Sequence, residues 1–268
     1  MSKNTFLVVA NWKMNPLTLK EAERLVKNFE GGIERLNKRD FWEKINLIIC
    51  PPAIYLGRLG RGKHYSLGIQ NIYSETRGAF TGEIAVRMAE DAGARYALIG
   101  HSERRIHFGE TDEQVNLKLH ACVKSLMTPI VCVGENLEER NNGETTRVIS
   151  RQIRSAFHRI SILNLPKIVI AYEPVWAIST MKSGSSAEID DPNDIMGIVI
   201  LIKKVLSDIY QKDVADRVRI IYGGSVNPTN IASLLEVNTL SGVLVGGASL
   251  TVFDFLPILR KAYGREEE

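Results

Sequence analysis

Lys167-Ile168-Val169-Ile170-Ala171-Tyr172-Glu173-Pro174-Val175-Trp176 sets the reading of this chain. Its opening is a short, apolar, β-branched run of the kind that forms a buried strand. The strand delivers a carboxylate, Glu173, to its C-terminal end, and a proline follows at once. Proline holds the residue before it in extended geometry, so the backbone of Glu173 is aimed rather than loose. Trp176 then opens a long Ser/Gly-rich segment. An aimed carboxylate beside an aromatic anchor and a mobile segment suits a general base under a lid. Alone, the stretch fits a glutamate in a surface turn better, and the rest of the chain reverses that preference.

Similar apolar runs recur on both sides, at 6–10, 45–50, 67–70, 96–100, 129–133, 167–172, 219–222 and 242–246. Between them lie segments with helical periodicity. Leu19-Glu21-Ala22-Leu25-Val26-Phe29 is one, Val115-Leu117-Leu119-Ala121-Cys122-Leu126 a second, and Ile195-Ile198-Val199-Ile202-Val205-Leu206 a third. Strands that alternate with helices predict an α/β fold with a parallel sheet. An open doubly wound sheet and a closed (β/α)8 barrel both fit. The 268 residues match one barrel, which typically takes about 250. No Gly-x-Gly-x-x-Gly follows the first strand, which weakens the dinucleotide-binding alternative. No change of composition marks a boundary, so a single barrel domain over 1–268 is expected. Segments 31–44 and 183–194 look like additions, the second a solvated Ser/Gly/Asp/Pro loop.

Composition narrows the function. Hydrophobic residues make up 44% and charged residues 24%, as in ordinary globular proteins. A formal charge of only +3 with scattered basic residues argues against nucleic acid, which wants a basic face. The three cysteines, Cys50, Cys122 and Cys132, lie far apart in apolar runs. They read as buried thiols of a reducing compartment rather than a disulfide or metal set. No signal-peptide pattern and no membrane-length apolar run is present, and a cytoplasmic protein is expected.

In barrels of this kind the site is built from loops after the strands. The first strand ends at Asn11-Trp12-Lys13, the fourth at Gly100-His101-Ser102-Glu103-Arg104-Arg105, and the sixth at Glu173. The seventh ends at Gly223-Gly224-Ser225 and the eighth at Gly246-Gly247-Ala248-Ser249. Each has a bland explanation: a solvated lysine, a structural histidine, a surface ion-pair cluster, two turns. Together they place a cation, an imidazole, a carboxylate and two glycine-rich turns on one face. Glycine lets backbone N–H groups approach an anion closely, and such groups opening a helix bind phosphate. Val226-Asn227-Pro228-Thr229 looks like a helix start behind the first turn.

At this point the chain resembles the triosephosphate isomerase family over nearly its full length. The motifs are Asn11-Trp12-Lys13-Met14-Asn15, Gly78-Ala79-Phe80-Thr81-Gly82-Glu83, Ile99-Gly100-His101-Ser102-Glu103-Arg104-Arg105, Ala171-Tyr172-Glu173-Pro174-Val175-Trp176-Ala177-Ile178, Tyr222-Gly223-Gly224-Ser225-Val226, and Gly242 onward to Leu250, in the family's order. That family is itself a standard example of acid–base groups tuned by their surroundings, and the roles that follow come from the resemblance rather than from spacing. The resemblance implies Glu173 as the base and His101 as the electrophile that polarises the carbonyl. His101 stands at the start of a short helix whose N-terminal field disfavours imidazolium. Lys13 is implied as the cation facing substrate and enediolate charge, with Asn11 and Glu103 orienting it. Backbone N–H groups of Ser179, Ser225, Gly246 and Gly247 are implied to hold the phosphate. No metal and no organic cofactor are implied.

A closing loop keeps water from a reactive enediolate phosphate. In Ala177-Ile178-Ser179-Thr180-Met181-Lys182 the chain departs from the family, with Ser179 in place of a glycine and Met181 also unusual. A left-handed backbone at Ser179 would cost about 1–2 kcal/mol, so a less favourable closure with more phosphate loss is expected. The 70–83 loop, with Thr81, resembles the loop that reaches a neighbour's site in the family, which implies a homodimer. Two alternatives stand beside the isomerase: another sugar-phosphate barrel enzyme, and a non-catalytic barrel serving binding or scaffolding.

Overall fold

The computed structural model describes residues 5–36, 38, 40–60, 62, 64–177 and 191–265. Eight parallel strands close on themselves in chain order. They are β1 Phe6–Asn11, β2 Ile45–Cys50, β3 Ser66–Ile69, β4 Ala94–Ile99, β5 Thr128–Val133, β6 Val169–Tyr172, β7 Arg219–Tyr222 and β8 Gly242–Val245. Closure is made by β1 against β8, with Leu7 opposite Gly242 and Ala10 opposite Val245. Alternation along each strand sorts side chains into two layers. Leu7, Val9, Ile48, Leu98, Ile130, Val169, Ile221 and Leu244 fill the barrel interior. Val8, Ala10, Ile99, Val131, Ile170, Ile220 and Val243 face outward into the larger core beneath the helices. Both faces are therefore dry, which is why the strands read as continuous apolar runs rather than alternating ones.

The three amphipathic segments form α1 Leu19–Glu34, α6 Asp112–Val123 and α9 Pro192–Ile209. Thr18 and Glu21 close a capping box on α1, and Thr111 and Gln114 do so on α6, each cap being worth about 0.5–2 kcal/mol. Asp191 caps α9, with Pro192 at its first position, where a missing N–H costs nothing. The expected addition at 31–44 is corrected. Residues 31–34 continue α1, because Gly32 and Ile33 are still buried on its apolar face, and 41–44 form the short α2 Phe41–Lys44. Of the expected loop at 183–194, residues 192–194 belong to α9, and 183–190 lie outside the described residues. The helix expected to start at 226–229 begins later, as α11 Ile231–Leu235, because Asn227 Oδ1 ties the amides of Thr229 and Asn230 into a turn. The last helix, α12 Val252–Gly264, follows a 3-10 turn at Gly247–Leu250. Cys50, Cys122 and Cys132 are free and buried.

Candidate active site

Asn11 ends β1 on the inward face and is almost fully buried. Its Oδ1 accepts from the amide of Lys13 at 3.0 Å, and its Nδ2 lies 3.2 Å from His101 Nε2. Lys13 has φ of +55°, a left-handed conformation that a non-glycine residue holds only when its surroundings insist. The insistence comes from Asn11 on one side and from Gln70, whose Nε2 donates to the Lys13 carbonyl at 2.8 Å, on the other. The ammonium reaches Glu103 Oε1 at 2.6 Å. A Cβ built on Gly246 would sit 3.3 Å from Lys13 Cε, so the same side chain lies against the turn after β8.

Gly100 turns the chain after β4 with φ of +76°, and a side chain there would strike Val115. That turn presents His101 as N-cap of α5 Ser102–Phe108, its Nδ1 accepting from the Glu103 amide at 3.2 Å. An acceptor role at Nδ1 places the proton of a neutral ring on Nε2, and the Asn11 Nδ2 contact at 3.2 Å is then a close approach of two donors rather than a hydrogen bond. Nε2 stands 3.4 Å from Glu173 Oε1. Glu173 is 1% exposed. Its Oε2 accepts from the amide of Ser102 at 2.9 Å, while Oε1 has no hydrogen-bond partner among the described residues. Its own amide donates to Val133 at 2.7 Å, which extends β6 by one residue. Two glycines make room for it. A Cβ on Gly134 would meet the Glu173 carbonyl oxygen at 1.8 Å, and one on Gly223 would meet Glu173 Cγ at 2.9 Å. The buried Cys132 thiol is pushed well above its ordinary pKa, by burial first and by the Glu173 charge second.

Lys13, Asn11 and His101 share one concavity with Gly223, Gly224, Ser225, Gly246 and Gly247. The carbonyl of Ser225 is held by Asn230 Nδ2 at 2.6 Å, and that of Gly246 by the amide and hydroxyl of Ser249. Holding those carbonyls fixes the peptide planes of both turns. The structure thus brings together all the site residues expected from sequence except Ser179. That residue lies outside the described residues, as does Met181.

Sequence reading missed Gln70, which also donates to Cys50 O, and Glu135. Glu135 is fully buried after β5 and faces Tyr172 OH at 3.2 Å and Trp176 Nε1 at 3.1 Å. Burial raises its pKa against the pull of these donors. Arg140 stacks 4.1 Å over the Trp176 ring and donates to Asp194 at 3.0 Å. Both missed residues lie just beyond strands, Gln70 after β3 and Glu135 after β5, whose C-termini carry no conspicuous motif.

These features define a (β/α)8-barrel enzyme whose charged and glycine-rich groups gather at the carboxyl ends of its strands. The family model for triosephosphate isomerase matches residues 6–262. A triosephosphate isomerase of Dictyoglomus thermophilum is 44% identical over 257 residues, covering 95% of this chain and 98% of its own. One from Endomicrobium trichonymphae is 40% identical over the same length, with 95% and 97% covered. The crystal structure of triosephosphate isomerase from Bartonella henselae superposes with a TM-score of 0.80 at 31% identity, covering 98% of this chain and 99% of that one. The chain belongs to the triosephosphate isomerase family, and it is an enzyme of that isomerase class.

Proposed function

We propose that this chain interconverts dihydroxyacetone phosphate and D-glyceraldehyde 3-phosphate through an enediolate. The observation that carries the reading is the buried Glu173 carboxylate, with Oε1 free of hydrogen bonds among the described residues and 3.4 Å from His101 Nε2. Glu173 takes a proton from the carbon beside the carbonyl. The C–H electrons form the C=C bond, and the carbonyl electrons move to oxygen. His101 Nε2–H donates to that oxygen, and Lys13 Nζ offsets its charge. His101 gives its Nε2 proton to that oxygen and takes up the proton of the neighbouring hydroxyl. Those O–H electrons become the new C=O bond, while the C=C electrons take the proton back from Glu173 at the former carbonyl carbon. Asn11 and Glu103 orient His101 and Lys13, while Ser179, Ser225, Gly246 and Gly247 hold the phosphate. A coupled assay in both directions tests this. Rapid turnover is expected, and a folded protein with none would leave a binding or scaffolding role.

The same reading extends to assembly and setting: one barrel domain over 1–268, working in the cytoplasm as a homodimer. Met14 is 88% exposed and Phe108 70% exposed on the rim of a cleft of about 480 Å³. The cleft is also lined by Lys13 and Gln70. A second copy's 70–83 loop, carrying exposed Phe80 and Thr81, is the segment assigned to that cleft on this reading. Light scattering is expected to give twice the chain mass, and an active monomer would refute the dimer.

A further inference from the structure

The opposite end of the barrel holds a second basic concavity. Arg219 is the first residue of β7 and points inward, two residues before Ile221 of the barrel interior. Its guanidinium is partly removed from water, and burial lowers its pKa, with the Tyr96 hydroxyl acting the other way. Among the described residues its side chain makes no hydrogen bond and no ion pair. A guanidinium carries five N–H donors and no acceptor, and the half-buried Arg219 turns its donors to the water of the cavity it lines. Arg219 lines a cavity of about 360 Å³ with Lys44, Arg265, Thr5, Asn238 and Ser241. No carboxylate lines it among the described residues. Lys44 lies 3.5 Å from Asp40 and 4.9 Å over the Tyr263 ring. Arg265 is anchored by the carbonyls of Leu240 and Val237. Thr5 Oγ1 is buried there without a hydrogen-bond partner among the described residues.

We infer that this cavity at the N-terminal mouth of the barrel binds a small oxyanion of the phosphate class, gripped by Arg219. Three cations, one hydroxyl and two further polar side chains line a space that admits a tetrahedral oxyanion together with water. A planar guanidinium pairs two of its oxygens at once. The site is remote from Lys13 and the turns after β7 and β8, which stand at the other end of the same strands.

Equilibrium dialysis against radiolabelled inorganic phosphate tests this, alongside inhibition of isomerisation by phosphate. Two phosphates per chain are expected. One follows the inhibition constant. The other, with a Kd of about 1 mM, weakens about tenfold or more in Arg219→Gln and severalfold in Lys44→Gln, while inhibition by phosphate is unchanged. A wild-type chain that binds one phosphate, displaced in step with inhibition, overturns the inference. So does a second site equally strong in wild type and Lys44→Gln, a reading that stands even if Arg219→Gln does not fold. Failure of the active-site reading would show differently, as absent inhibition with an Arg219-dependent phosphate still bound.

Discussion

The indole of Trp176 donates to the carboxylate of Glu135 at 3.1 Å, joining the turn after β6 to the end of β5. Tyr172 reaches the same carboxylate from inside β6. Glu135→Leu leaves both donors unpaired and is expected to destabilise the protein by about 1–3 kcal/mol per group. Burial lifts the Glu135 pKa above 4.5, so the folded state holds its proton more tightly than the unfolded chain. That contribution is complete below the unfolded pKa and is lost as pH rises through the folded one. Urea denaturation from pH 4.5 upward should show this decline in wild type and a flatter profile in Glu135→Gln. Identical slopes would show that Glu135 does not titrate in this way.

Lys13 is held in a strained backbone by Asn11 and Gln70 so that its ammonium meets both Glu103 and the turn at Gly246. Lys13→Met should lower kcat/KM by about 10²–10³ with little change in unfolding midpoint. A drop under threefold would remove Lys13 from the charge-stabilising role.

Gly223 faces Glu173 Cγ at 2.9 Å from its built Cβ. Gly223→Ala is expected to displace the carboxylate, costing about 10²-fold in kcat and about 1–3 kcal/mol in stability. Gly57→Ala is the control, since nothing lies within 4 Å of its built Cβ. Steady-state kinetics of the two variants, set beside their melting temperatures, separate displacement of the base from a general effect of added bulk.

Ser179 stands where the family pattern has glycine. Ser179→Gly should reduce release of inorganic phosphate per turnover, read by a phosphate-detecting coupled assay. An unchanged leak would show that serine at this position does not weaken closure.

Much of this architecture was legible because both faces of the strands are buried, which turned β1, β2 and β6 into unbroken apolar runs. Boundaries drifted by one residue at Gln70, Gly100 and Gly246, each of which stands just past the last residue of its strand. Lys13, His101 and Glu173 were legible because charged groups at strand ends have no packing reason to be there. Glu135 and Gln70 were not, because a lone polar residue after a strand looks the same in sequence whether it faces solvent or a partner. Glu135 is identified by Tyr172 and Trp176, 37 and 41 residues away, and Gln70 by the Lys13 carbonyl. Arg219 shows the same limit, since its inward direction follows from barrel closure alone.

The central claim is that the Glu173 carboxylate carries the proton between the two carbons. It is tested most directly by running the isomerisation in D2O and following the product by NMR. Wild type should place solvent deuterium on the carbon beside the carbonyl, and Glu173→Gln should lose both turnover and deuterium incorporation by several orders of magnitude. Fast isomerisation without deuterium in wild type, or incorporation that survives Glu173→Gln, would contradict the account.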